Sequence, residues 1–332
     1  MISNKLAIST PSLSQHPSHS LEHKIRAASQ AGYNGIEIVF GELETWSRSQ
    51  NISILAGAEK IQPICRNFRL DILSLAPFEN FEGDQSPLKE RLQKASLWID
   101  VARKLRAPYL QVPAHYGVDA KGDKNMIVSE LRQLADLGSS QHPLVSIAHE
   151  PMSWSTHYPT WESALQLVEA VDRPNFGLCL DTFHIATKLW GDPHAVSGKF
   201  PDADRSLRES LQRYLNSCPL EKVFFVQLSD GEKFSPPFSK AHPWYLEGEA
   251  PQFTWSKHAR PFPYESHFGA YLPVAEITRA WIVDKGYTGW VSLEIFDRRM
   301  RQGDIQPEAA ALRGMESWRR LKQDLSVPAS KL

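Results

Sequence analysis

Four polar side chains carry the chemistry this sequence offers. Glu150 ends the run at 145–150, Asp181 ends 176–181, Gln227 stands near the end of 223–228, and Glu294 stands within 290–296. Each run is short, apolar and rich in β-branched or aromatic residues, so each reads as a strand. Neighbouring strands lie about 4.8 Å apart, so side chains at successive strand ends can converge on one point. The three carboxylates of this set, gathered in a partly dry site, repel one another unless a cation joins them. Carboxylates plus an amide oxygen, with no thiolate, suit Mg2+ or Mn2+, with Co2+ a further option. Any one of these residues alone reads equally well as a helix cap or turn residue. The signal is the set, in order on consecutive strands.

The surrounding pattern predicts how such ends are brought together. Eight strand candidates lie at 6–9, 36–40, 72–75, 109–112, 145–148, 176–180, 223–228 and 290–295. Helical periodicity separates most of them, at 88–105, 126–137, 161–171, 207–215, 274–285 and 309–325. An earlier helix is capped by Ser20, with Glu22 and His23 in its first turn. Alternating strands and helices imply right-handed βαβ units and a parallel sheet, and eight such units predict a closed (β/α)8 TIM barrel. An open doubly wound sheet would call for a glycine-rich phosphate loop after a strand, and none follows any strand here. Residues 31–37 and 285–290 repeat a Gly-Tyr-x-Gly turn entering a strand, which supports the architecture alone. The whole chain, 1–332, reads as one domain with long loops at about 41–67 and 230–273. The later loop is rich in aromatics and leaves the C-terminal end of a strand, where barrel active sites sit.

Composition narrows the function classes. The chain has 332 residues, with 37 Lys and Arg against 38 Asp and Glu, for a net charge of −1. That balance speaks against a general nucleic-acid binder, and against a DNA-repair endonuclease on the same barrel. The expected partner is a small-molecule substrate, with no nucleic acid and no membrane. Cys65, Cys179 and Cys218 are too far apart for a disulfide framework or a cysteine-rich zinc site, so a reducing compartment is expected. No apolar run approaches a membrane span, and the N-terminus lacks a signal core. The final Ser330-Lys331-Leu332 reads as a peroxisomal address for an import receptor, the alternative being a cytoplasmic protein. A homodimer is the expected assembly.

The sequence resembles a known family. The stretches at 175–183, 222–227, 269–274 and 289–300, the last reading Gly-Trp-Val-Ser-Leu-Glu-Ile-Phe-Asp-Arg-Arg-Met, are similar to the xylose-isomerase-like metal-dependent barrels. Within them they resemble the 3-dehydroshikimate dehydratases of the fungal quinate-pathway type. The resemblance implies water elimination from 3-dehydroshikimate to give protocatechuate. A proton leaves a ring methylene conjugated through a double bond to the ketone, a neighbouring hydroxyl departs, and a further proton loss makes the ring aromatic. A divalent ion at residues 150, 181, 227 and 294 would stabilise charge on the ketone oxygen.

Such chemistry also needs an acid and a base within hydrogen-bond reach. His184, three residues after Asp181, is the candidate, with Glu294 beside it; the alternative for His184 is a capping or supporting role. The substrate carboxylate calls for a guanidinium at the far end of the pocket. The resemblance implies that Arg260 and Ser256 contact substrate; otherwise Arg260 would stack on Phe262 or Trp255. Arg298 and Arg299 are weaker competitors, and Gln111 is a further pocket candidate. His115 is expected to line the pocket, His149 to point away from the barrel interior, and His16, His19 and His23 to form a solvated cluster. The rival readings are a ketose isomerase or epimerase of the same superfamily and a non-catalytic metabolite-binding barrel.

Overall fold

The computed structural model describes residues 2–327, so the Ser330-Lys331-Leu332 tail lies outside the described residues. Eight parallel strands close into a barrel: β1 (Leu6–Ser9), β2 (Gly35–Val39), β3 (Asp71–Ala76), β4 (Tyr109–Pro113), β5 (Ser146–Glu150), β6 (Phe176–Asp181), β7 (Val223–Leu228) and β9 (Trp290–Leu293), which pairs back to β1. Between the last two barrel strands comes β8 (Ala259–Arg260), which pairs antiparallel with β10 (Phe296–Asp297) outside the barrel.

Period-two alternation sorts each strand's side chains. Phe225 of β7 points inward, onto a dry layer with Ala7, Leu73, Ala148 and Cys179, while Val226 and Leu228 join the core beneath the helices. Above the dry layer the interior turns polar, with Glu37, Ser74, Gln111, Gln227 and Ser292 all buried. Local signals close the helices as expected. Ser20 accepts from His23 N to start helix Leu21–Ala31, and Gly32 ends it with φ +93°. Gly286, at the matching position of the repeat, has φ +80°.

Two expectations about connections are corrected. Residues 41–67 are not a loop: they form helices Phe40–Ser49 and Ile54–Asn67. Gly41, Pro63 and many polar residues blur the apolar period there, yet Leu43, Trp46, Ala58, Ile61 and Cys65 are buried, and Ser53 caps the second helix through Ala56 N. Tertiary packing, not propensity, makes these helices. Residues 230–273, read as a long aromatic loop, also hold regular elements, the short helix Pro251–His258 and β8. Trp255 is fully buried, with ring centroids 5.6 Å from Phe234 and 5.7 Å from Phe183. One oxygen of Asp230 accepts the N–H groups of Gly231, Tyr271 and Leu272 at 2.8, 2.9 and 2.7 Å, drawing the two ends of the insertion together. A further helix, Thr182–Leu189, follows β6 directly, ahead of Ala203–Ser217. No helix among the described residues is long and apolar enough to cross a membrane.

Candidate active site

The C-terminal mouth of the barrel is built by strand register. Asp181 pairs with Gln227 and Gln227 with Ser292, two residues before Glu294, while Glu150 ends the neighbouring β5. Asp181 also starts the helix that follows it, accepting from Phe183 N at 2.8 Å. That helix turns His184 back over the mouth, with Nε2 3.3 Å from Glu150 Oε1. Glu150, Asp181 and His184 each offer a ligand atom, all within 4.8 Å of one another. This group differs from the set read in the sequence, because a helix turn supplies the third donor.

The charge balance of the mouth is unusual for an uncompensated cluster. Burial and the neighbouring Asp181 push the Glu150 carboxyl well above its ordinary range, against the pull of Arg260. Burial likewise pushes Glu294 up, with Arg260 opposing it. One Glu150 oxygen, Oε1, has no hydrogen-bond partner although it is buried. An orphaned Glu150 oxygen beside the carboxylates of Asp181 and Glu294 is a donor set that fits a divalent cation. Burial drives His184 down to about 3, so its ring is neutral. Ser153 N–H donates to His184 Nδ1 at 3.2 Å, which leaves the remaining proton on Nε2, the atom facing Glu150.

Arg260 is not at the far end of the pocket. Its Nη2 reaches Asp181 Oδ2, Ser229 Oγ at 2.8 Å and Glu294 Oε2 at 3.2 Å, inside the carboxylate group. The cause is the β8–β10 ribbon, which sets Arg260 opposite Phe296, just past Glu294. Its guanidinium packs on Phe183 and Phe296, at 4.7 and 5.1 Å, and not on Phe262 or Trp255 as expected of a packing arginine. Nη1 has Ser256 Oγ, at 3.2 Å, as its partner. Ser256, Gln111, Glu150, His184, Arg260 and Glu294 all line one cavity of about 210 Å3, walled by Trp154, Phe253 and Phe296. Lys257 lines it as well, paired with Glu249 at 2.6 Å; nothing in the sequence distinguished this lysine from any other.

Gln227 is level with Asp181 and two residues short of Glu294 in the barrel register. Its Nε2 donates to Glu37 Oε1 and to Glu294 Oε1, both at 3.1 Å, while its Oε1 accepts from Gln111 Nε2 at 3.2 Å. Glu37 was not foreseen. Its place in Ile36-Glu37-Ile38 looks like an ordinary alternating strand, and the one available signal was a lone acid at an inward position. Burial pushes its carboxyl up, against hydrogen bonds from Ser74 and Gln227.

Other candidates fall elsewhere. His115 is absent from the cavity wall, because its Nδ1 and backbone N–H are taken by Glu82. His149 points out of the barrel, against Phe176. His19 is buried and bonded to Ser14 Oγ at 2.7 Å, so that cluster is not simply solvated. Arg298 and Arg299 are paired to Glu232.

The model of the xylose isomerase-like TIM barrel family matches residues 25–321. The chain belongs to this family. It is 38% identical to the 3-dehydroshikimate dehydratase of Neurospora crassa over 98% of this chain and 95% of that one. It is 29% identical to the 3-dehydroshikimate dehydratase of Pseudomonas aeruginosa, over 91% of this chain and 40% of that protein. Among solved structures, a xylose isomerase-like TIM barrel/4-hydroxyphenylpyruvate dioxygenase fusion protein superposes with a TM-score of 0.75 and 25% identity, over 97% of this chain and 43% of that one. The chain thus spans about two fifths of the length of these last two relatives.

Proposed function

We propose that the protein is a 3-dehydroshikimate dehydratase that forms protocatechuate with the help of a divalent metal ion. The observation that carries this reading is the end-to-end 38% identity to the Neurospora crassa enzyme. The mouth of the barrel supports it. Glu150, Asp181 and Glu294 would hold the ion, with Gln227 beside Asp181. Mg2+ or Mn2+ suits the oxygen donors. When bound, the ion supplies Lewis-acid stabilisation of negative charge on the ketone oxygen.

The chain's own residues do the rest. The aromatic walls of a 210 Å3 cavity suit a flat six-membered ring and exclude water from it. Arg260 Nη1 and Ser256 Oγ present donors for the substrate carboxylate, with Lys257 the second cation of the wall. His184, neutral and carrying its proton on Nε2, is placed to donate a hydrogen bond to the departing hydroxyl, as neutral imidazoles do when their other nitrogen is held. A ring C–H proton passes to a mouth carboxylate, for which Glu294 is our assignment, the ring C–O bond breaks, and that proton leaves with the hydroxyl as water. Transfer of the remaining ring proton to the ketone oxygen, which becomes a phenol, makes the ring aromatic.

Incubating purified protein with 3-dehydroshikimate and Mg2+ or Mn2+ should raise ultraviolet absorbance as protocatechuate forms, and EDTA should stop the rise. A flat trace together with turnover of a ketose would favour an epimerase. Tight binding of 3-dehydroshikimate without product would favour a binding barrel. The peroxisomal address at Ser330-Lys331-Leu332 is tested by localising a fluorescent fusion with and without those residues, and the homodimer by light scattering.

A further inference from the structure

The polar layer under the mouth is a directed hydrogen-bond chain. Ser74 Oγ donates to Glu37 Oε2 at 2.6 Å, and Gln227 Nε2 donates to Glu37 from the other side at 3.1 and 3.3 Å. Gln227 Oε1 then accepts from Gln111 Nε2 at 3.2 Å, and the same Gln111 nitrogen donates to Glu150 Oε2 at 2.8 Å. Every member is buried. An amide presents an oxygen on one side and an NH2 on the other, and its shape barely distinguishes the two orientations. Here the neighbours decide. Flipping Gln227 would set its oxygen against the oxygens of Glu37 and Glu294, and its NH2 against the NH2 of Gln111. Flipping Gln111 as well would turn an oxygen toward Glu150. Both acids oppose the flip, but Glu37 is the one outside the group assigned to the ion.

We propose that Glu37 is a positioning residue which, through Gln227 and Gln111, sets the direction of this chain, keeping an oxygen of Gln227 free of Glu37 and an N–H on Glu150. A metal takes an amide through oxygen, and partners behind the ligands tune affinity. Glu37 therefore prepares the site for the ion without touching it. The inference rests on the metal-dependent reading above.

The test is equilibrium Mn2+ binding, followed by the electron paramagnetic resonance signal of free Mn2+, on the full chain. Glu37→Gln preserves shape but can present an NH2 to Gln227, so Mn2+ affinity should fall roughly 10–100-fold with the circular dichroism unchanged. Glu37→Asp keeps the carboxylate acceptor on a shorter arm, so it should retain more of the wild-type Mn2+ affinity than Glu37→Gln does. A merely structural Glu37 would leave Glu37→Asp, which opens the larger gap, at least as impaired as the isosteric Glu37→Gln, and that overturns the proposal. Wild-type Mn2+ affinity in Glu37→Gln overturns it too. Should Glu37→Gln fail to fold, Ser74→Ala decides: weaker Mn2+ binding supports the proposal, and unchanged binding overturns it. If the wild-type protein binds no Mn2+, the metal reading falls and takes this proposal with it. Wild-type binding with an unaffected Glu37→Gln overturns this proposal alone.

Discussion

Arg260 is the buried cation of the mouth, held by Asp181, Ser229, Ser256 and Glu294. Removing one partner of a buried ion pair strands the other, at about 3–5 kcal/mol. Arg260→Met keeps the packing on Phe183 and Phe296 and should lose stability on that order in urea unfolding without metal. Saturating Mn2+ should restore more stability to this variant than to wild type, because the ion takes over part of the missing charge. His184 is neutral, with its pKa near 3, and is fixed by Ser153 N–H. His184→Gln should therefore lower kcat by about 10²-fold or more while leaving the acid limb of the pH–rate profile in place. Loss of that limb would reassign His184 to a titrating role. The residue types at 150, 181, 184 and 294 were legible in the sequence because acids at successive strand ends, with a histidine one turn past one of them, have few other uses in such numbers. The position of Arg260 was not, because residues 230–260 give no periodic signal and their path is set by a two-residue pairing.

At the scale of elements, the insertion after β7 is what completes the site. Its ends are pinned by Asp230, which burial pushes up to about 7 from 3.8 against three backbone donors. An acid with a raised native pKa binds a proton in the folded chain that the unfolded chain has already released. Between about pH 4 and 7 the native state holds the extra proton, so this group's contribution to stability falls as pH rises through that window. Asp230→Asn keeps the accepting oxygen and removes the titration. The urea midpoint should drop less from pH 5 to pH 8 in the variant than in wild type, and parallel slopes would show that Asp230 does not titrate there. The helices at 88–105 and 161–171 were readable to the residue, since their apolar period is clean. Those at 40–49 and 54–67 were not, because their faces are short and are stabilised by contacts such as Phe40 on Trp98, 3.8 Å between ring centroids.

At the scale of the whole molecule, a cation bound by the native barrel and not by the unfolded chain raises stability by mass action. At a free Mn2+ concentration 100 times its Kd the gain is about 2.7 kcal/mol. The thermal midpoint should therefore rise with Mn2+, fall back with EDTA, and stay flat with Mn2+ in Glu150→Gln. A rise of equal size in Glu150→Gln would move the ion elsewhere. The nearly balanced charge of the chain, −1, means that this response should stand out from any general effect of salt.

What the sequence determined by itself was the order of strands and helices, hence the closed parallel barrel, and the placing of Glu150, Asp181, Gln227 and Glu294 at its mouth. Both follow from local rules: apolar periodicity, caps, and the short reach between neighbouring strands. What the tertiary structure decided was which atoms meet. Arg260 enters the carboxylate group, His184 turns back onto Glu150, and Glu37 reaches across the barrel to Gln227, 190 residues away. Closure of the barrel and the β8–β10 pairing bring such distant groups within 3 to 4 Å, and no local pattern along the chain encodes a contact of that kind.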